Sequence, residues 1–258
     1  MPNLGFILRE GEIQKNLIEQ FQKNNVKNFW GEALLKIDYS LDEIVCKTSK
    51  QTLKTKMIIG CDGMNSKVRE LSGIDFRSWS YNQTAIVTNF KTEINDSCIK
   101  QTFTSIGPLA LLPIKKDEST MIWSIDDDTS YKFISMSDEE FTAEVKNKFS
   151  EQIGKLEMVS KRQHFALHHL SAKTFANNGV FLVGDSAHHI HPLAGLGLNA
   201  GIGDVECLAE LIKMNGLEKI KEITSSYNRK RIPINLALAA SMEACLLYTS
   251  PSPRDGDE

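Results

Sequence analysis

The spacing of apolar and polar positions along this chain changes several times, and each change marks an element. Ile13, Leu17, Ile18 and Phe21 share one helical face after the apolar lead-in Leu4-Gly5-Phe6-Ile7-Leu8, which predicts a first helix. Over residues 32–55 the period shortens to two around Leu41-Asp42-Glu43, the pattern of a hairpin or meander with one wet face. The run Lys56-Met57-Ile58-Ile59-Gly60 reads as a short buried strand. It passes through Asp62-Gly63 into a helix capped by Asn65 or Ser66. Alternation returns over residues 81–93, 101–103, 109–114 and 121–125, with breaks at Gly107-Pro108 and at residues 115–118, and predicts a second, antiparallel sheet.

Ser137 and Glu140 form a capping box ahead of the stripe Phe141, Val145, Phe149 and Ile153. Residues 162–170 read as a returning strand on which His164, His168 and His169 are partly exposed. Residues 179–183 are an apolar, β-branched run suited to the inside of a parallel sheet. Leu198, Ile202, Val205 and Leu208 then recur at helical spacing. Two further helical patterns, over 217–231 and 234–244, are expected on either side of Pro233, which interrupts them. From Tyr248 the periodicity stops.

With 258 residues and 41% hydrophobic content the chain can bury one large or two modest cores. A formal net charge of −3, with basic and acidic residues interspersed, leaves no stripe for nucleic acid and predicts a soluble protein. Arg229, Lys230 and Arg231 could meet acidic lipid or face water, and water is the default expectation. Five cysteines without a CxxC pair argue against a disulfide framework or zinc site and for a reducing, cytoplasmic setting. No apolar run approaches the roughly 20 residues of a membrane span, so contact with an inner membrane would be peripheral.

The chemistry concentrates between Gly179 and Val205. Asp185 follows the strand and Gly184, at the carboxyl edge where open α/β sheets receive ligands, and its carboxylate can accept hydrogen bonds from a sugar-like hydroxyl chain. Pro192 stiffens the next turn, and Gly195, Gly197, Gly201 and Gly203 punctuate the start of a helix near residues 197–199. The first N–H groups of that helix have no partner inside it and carry the positive end of the dipole. They suit a phosphate or the pyrimidine edge of a reduced flavin. His188, His189 and His191 lack the ligand spacing of helical zinc motifs, and no metal is assigned to them. His188 and His191 are candidates for hydrogen bonding behind the ligand or for shaping the turn.

The segment GDSAHHIHPLAGLGLNAGIGD resembles the second flavin-binding motif of the FAD-dependent aromatic hydroxylases, in particular the ubiquinone-biosynthesis hydroxylase family. The resemblance implies that Asp185, after Gly184, binds the ribityl chain. It also implies that Pro192 lies near the isoalloxazine and that Gly195, Leu196, Gly197, Leu198 and Asn199 turn backbone N–H groups toward the flavin. The family usually has glutamine where Leu196 stands and alanine where Ser186 stands. Residues 60–69 resemble its DG motif, with Cys61 in place of a common alanine; the resemblance implies that Asp62 serves FAD and the pyridine nucleotide together and that Gly63 and Arg69 belong to the same cofactor site, whereas by pattern alone Asp62-Gly63 is also an ordinary turn and Arg69 a surface helix residue.

The fold implied is α/β, a partial FAD-binding Rossmann-like domain (residues 1–72 and 160–245) with an inserted antiparallel sheet domain for substrate (73–159). Residues 246–258 would form a disordered or foreign tail. Nothing matches the family's opening GxGxxG unit, so the expectation is a chain lacking that unit. The activity implied is a monooxygenase: NAD(P)H reduces FAD, and one oxygen atom of O2 is placed on an aromatic ring, a polyprenyl phenol of ubiquinone biosynthesis. No catalytic acid or base is named. The competing expectations are a flavoprotein of the same fold acting on another aromatic compound, and a fragment or biosynthetic-assembly partner that does not hold FAD stably.

Overall fold

A computed structural model describes residues 7–40, 43–93, 98–149 and 153–249. These fall into two compact units. One contains the described residues before Phe29 and those from Asn82 to Leu167; the other contains Phe29–Tyr81 and His168–Thr249. Two strands, Phe76–Thr92 and Gln163–Ala172, carry the chain from one unit to the other.

The sheet-rich unit begins with helix α1 (Glu10–Lys23). The expected helix is present, but Leu17, Ile18 and Phe21 are exposed and no residue of α1 is buried. Between α1 and this unit's sheet the chain enters the second unit as strands β1 (Leu34–Tyr39), β2 (Ile44–Thr48), β3 (Thr52–Thr55) and β4 (Ile58–Gly60), then helix α2 (Lys67–Leu71) and the start of β5 (Phe76–Thr92). From Asn82 onward β5 belongs to the sheet-rich unit. It pairs antiparallel with β8 (Glu118–Asp126), β8 with β7 (Gly107–Lys115), and β7 with β6 (Lys100–Thr104). Gly107-Pro108, expected as a break, lies inside β7. The turn is at Ser105-Ile106 instead, and Gly107 is needed because a Cβ there would sit 2.0 Å from the Ser124 carbonyl oxygen at a φ of +128°.

Helix α3 (Asp127–Ser135) follows β8, and α4 (Asp138–Phe149) starts at the expected capping box. Glu140 N–H donates to Ser137 Oγ at 3.2 Å, and Ser137 N–H donates to Glu140 Oε2 at 3.0 Å. Phe141, Val145, Phe149 and Ile153 are all buried, with Trp123, Phe90 and Leu109, in one apolar core. Arg162 donates to the carbonyls of Phe133 (2.6 Å) and Met136 and lies over the Phe141 ring, which holds the end of α3 against α4. Strand β9 (Leu156–Met158) pairs with the end of β5, and β10 (Gln163–Ala172) returns the chain.

In the second unit β1, β2 and β3 form the expected antiparallel meander. A separate small sheet sets β12 (Val180–Leu182) parallel to β4 and antiparallel to β11 (Ala176–Asn177). The two-residue strand β13 (His188–His189) pairs with β10 at Leu170 and Ser171. Helix α5 (Gly197–Asn215) buries Ala200, Asp204, Leu208 and Leu211. Helix α6 (Ile220–Thr249) is continuous, where two helices interrupted at Pro233 were expected. Proline removes one backbone donor from a helix, a loss that tertiary contacts can override. Here Tyr227, Arg231 and Asn235 are buried and hydrogen-bonded on both sides of it. Helix α6 also runs past Cys245, through the first residues assigned to the tail; the remainder of that tail lies outside the described residues, as does Leu41-Asp42.

Candidate functional site

The parallel pair β4 and β12 aligns Gly60 with Leu182, so the turns that follow both strands open at the same sheet edge. Asp62 lies in one turn and Asp185 in the other. This is the edge at which open α/β sheets accept ligands. The Asp62 carboxylate accepts from Ser66 Oγ (2.5 Å) and from the N–H groups of Lys67 (2.7 Å) and Val68 (3.0 Å). It therefore satisfies the first donors of α2, while Ser66, not Asn65, is the N-cap and accepts from Arg69 N–H. Gly63 has a φ of +81° with open space where a Cβ would stand.

Arg69 is buried and joins the two turns: Nη1 donates to Ser186 O at 2.8 Å and Nη2 to Met64 O at 2.7 Å, with the guanidinium 4.4 Å from the Phe76 ring centre. Burial lowers its pKa against the pull of the Asp62 charge. Ser186, fully buried, completes the tie. Its hydroxyl donates to Gly60 O (2.6 Å) or Val183 O (2.9 Å) and accepts from Val183 N–H (3.0 Å). The hydroxyl that replaces the family's usual alanine thus links the ends of β4 and β12.

Asp185 is exposed, with 46% of its side chain accessible, and its Oδ2 lies 2.9 Å from His189 Nδ1. Beyond β13, Pro192 opens a single tight turn whose Leu193 N–H donates to His191 Nδ1 (3.1 Å). His191 is buried, with the Tyr81 ring edge-on at 5.1 Å, and its Nδ1 contact with Leu193 shapes the turn. Gly195 ends the turn at a φ of +61° and donates to Pro192 O. Helix α5 starts at once, its first hydrogen bond running from Ala200 N–H to Leu196 O at 2.9 Å. The N–H groups of Gly197, Leu198 and Asn199 precede that bond and have no acceptor within the helix.

The glycines of this segment divide by task. Cβ atoms at Gly195 and Gly197 would meet nothing within 4 Å, so the backbone there is approachable. Gly201 and Gly203 serve packing instead. A Cβ on Gly201 would come within 3.2 Å of Gly184 Cα, and one on Gly203 within 3.1 Å of the Arg231 guanidinium. Gly184 itself takes a φ of +62°.

Behind this surface lies a group of charges that periodicity did not single out. Asp204, with no exposed surface, accepts from Arg231 Nε (2.6 Å) and Asn235 Nδ2 (3.3 Å) at Oδ1, and from His188 Nε2 (2.6 Å) and Gly184 N–H (3.0 Å) at Oδ2. Burial pushes its pKa up, but the hydrogen bond and charge of His188, the Gly184 N–H and Arg231 outweigh this, and the net shift is downward. An ionised carboxylate only accepts, so His188 Nε2 carries the proton. Arg231, expected to face water, is buried by this pairing and also donates to Ala200 O at 3.1 Å. A signal was available in the sequence: Asp204 occupies the buried stripe Ala200-Asp204-Leu208-Leu211, where an acid must have partners.

His169, expected to be partly exposed, is 3% exposed. Its ring stacks on Trp79 at 3.8 Å and its Nδ1 lies 3.3 Å from Tyr81 Oη, contacts that a one-residue strand alternation could not reveal. His188, His189 and His191 each point to a different partner, and among the described residues no cluster of three metal-ligating side chains forms.

Two acid-bearing turns at the end of a parallel strand pair, with a helix start offering free amides beside them, define a nucleotide-binding α/β scaffold. The sequence profile of a family described as an FAD binding domain matches residues 40–241. The chain belongs to that FAD-binding family, as the motif around Asp185 implied. It is 33% identical over 199 residues to the ubiquinone hydroxylase UbiL of Rhodospirillum rubrum, a match covering 75% of this chain and 46% of that protein. It is 31% identical over 244 residues to the mitochondrial ubiquinone biosynthesis monooxygenase COQ6 of Xenopus tropicalis, covering 79% and 52%. The chain thus spans about half the length of the curated relatives it matches. Its fold is that of the crystal structure of CmlS, a flavin-dependent halogenase (TM-score 0.77, 17% identity, 96% of this chain and 48% of that one).

Proposed function

We propose that the protein is an FAD-dependent monooxygenase that hydroxylates an aromatic ring with O2 and NAD(P)H, its substrate a polyprenyl phenol on the route to ubiquinone. The observation that carries this reading is the start of α5. The approachable backbone at Gly195 and Gly197, the free N–H groups of residues 197–199 and the exposed Asp185 carboxylate all lie in one unit. These groups fit a flavin: amides for a ring edge that becomes anionic on reduction, and a carboxylate for the hydroxyls of the ribityl chain. The names of the ubiquinone-pathway relatives support the substrate class.

When bound, FAD supplies the redox chemistry and the activation of O2. The chain's own part is to hold and orient. Asp185 would accept from the ribityl hydroxyls, with Gly184 fixing the turn. Gly195, Leu196, Gly197, Leu198 and Asn199 would face the ring with their backbone, and Pro192 would limit the turn's freedom on one side. The Asp62 carboxylate is occupied by the start of α2, so Asp62, Gly63 and Arg69 would act by shaping their turn toward the cofactor, with Arg69 tying it to Ser186. Peripheral contact with a membrane surface is consistent with a polyprenyl substrate; no described helix is long and apolar enough to cross a membrane.

The test is titration of the purified protein with FAD followed by visible absorbance and flavin fluorescence. Turnover is then measured with NADH or NADPH, O2 and a prenylated phenol. Saturable binding and a product one oxygen atom heavier support the reading. A protein that leaves the flavin spectrum unchanged overturns it, and turnover only of unprenylated aromatic compounds redirects the substrate.

A further inference from the structure

We infer that Asp204 is a positioning residue of the cofactor site, the group that sets the Gly184–Ser186 turn and the start of α5 in place relative to one another. The inference rests on the flavin reading for its consequence but on geometry for its substance. Asp204 lies one to two helical turns inside α5, and no ligand that meets the helix start would touch it. Its Oδ2 accepts the Gly184 N–H, the backbone group immediately before Asp185, and its Oδ1 accepts Arg231, whose Nη2 reaches the Ala200 carbonyl in the first turn of the same helix. A single carboxylate thereby fixes the turn that presents the exposed acid and, through Arg231, the turn of helix that presents the free amides.

The surroundings leave little alternative geometry. A Cβ on Gly201 would press on Gly184 Cα at 3.2 Å, Gly184 itself takes a φ of +62°, and Arg231 packs over Gly203. His188, on the strand that follows the acid-bearing turn, donates from Nε2 to the oxygen that also holds Gly184. Asn235, one turn after Arg231 on α6, brings its amide to the other oxygen and to Arg231 O. Four segments meet at one buried anion, and each oxygen has two donors. Burying a carboxylate in this way stabilises little by itself, because the loss of hydration offsets most of the attraction to its partners. Its effect is on geometry: an ion with four fixed donors has one low-energy placement, whereas an apolar side chain tolerates several.

The experiment compares the full chain with Asp204→Asn and with Leu211→Ala, a substitution on the same buried stripe that loosens packing without touching the carboxylate. Two quantities are read: peptide-level hydrogen exchange without FAD, and FAD affinity together with the visible circular dichroism of the bound flavin. Asp204→Asn should speed exchange selectively at residues 183–187 and 196–200. It should weaken FAD by roughly ten- to a hundredfold, since a misplacement of about 1 Å can cost the larger factor, and should alter the flavin signal. Leu211→Ala should do none of these selectively. If Asp204→Asn does not fold, Arg231→Lys gives the second reading, since it keeps the charge but not the forked geometry; its effect should centre on residues 196–200. Unchanged exchange in both segments, or an FAD affinity equal to that of a binding-competent wild type, overturns the inference. A wild type that takes up no FAD overturns the cofactor reading alone, and the exchange comparison still decides the role of Asp204.

Discussion

The two units bury different kinds of polar group. In the sheet-rich unit the buried polar residues among those described are Thr84, Thr88, Thr92, Ser119, Ser124 and Ser130, all hydroxyls. In the other they include Arg69, His169, His188, His191, Asp204, Arg231 and Asn235. A hydroxyl enters a core cheaply, because one nearby acceptor such as Ser160 O for Thr88 (2.8 Å) restores what water gave it. A guanidinium or carboxylate does not, and is retained only where several partners converge. One unit is held by shape, with Trp123, Phe90 and Phe141 filling an apolar interior. The other accepts the cost of buried charge and in return holds three turns and a helix start in a single arrangement.

This contrast can be broken most sharply by two truncations of similar size. Asp204→Ala should cost about 3–5 kcal/mol, because Arg231 is left buried without its carboxylate. Phe141→Ala should also cost about 3–5 kcal/mol through the cavity it leaves. Urea unfolding measures both, and only the first should lower FAD binding at temperatures where the chain remains folded. Equal effects on FAD would erase the distinction between the units.

Acid should separate the units next. Burial lowers His191 from 6.5 to about 4, and burial followed by the charge of His189 lowers His169. For each, the unfolded state takes up a proton at a higher pH than the folded state does. Stability is therefore complete above about pH 6.5 and declines as pH falls toward about 4, where His191 itself becomes charged in the folded protein. Exchange in residues 168–191 should rise over this window before that in residues 107–126. His191→Asn, which keeps an acceptor for Leu193 N–H, should reduce the acid sensitivity. An unaltered acid profile in that variant would assign the effect elsewhere.

Smaller changes sharpen the same division. Asp185→Ala, at an exposed position, should leave the unfolding midpoint nearly unchanged, within about 0.5 kcal/mol. It should weaken FAD on the order of tenfold, or about 1.4 kcal/mol. In the sheet-rich unit, Ser137→Ala removes the N-cap of α4 and should cost about 1 kcal/mol without any change in FAD titration.

Much of this was legible along the chain. The meander, the capping box with its stripe, the strand before Asp185 and the helix start at Gly197 all follow from local pattern, because period and cap chemistry depend on residues a few positions apart. The errors share the opposite property. Pro233 signals a break because a proline's local penalty is visible in the chain, while the packing of Tyr227, Arg231 and Asn235 around it is not. His169 reads as half exposed from alternation alone, yet β10 lays it on Trp79, ninety positions earlier in the chain. Ser186 reads as a mere departure from a family pattern, although its hydroxyl reaches Gly60 across the strand pair.

The sequence alone determined where the elements begin, which acid stands at a strand end, and that glycines surround a helix start, since each depends on backbone freedom and on neighbours in the chain. Only the tertiary structure decided what Asp204, Arg231 and Arg69 are for. A charged residue's burial is set by partners that arrive from distant segments, and until those segments fold together the same side chain is equally at home in water.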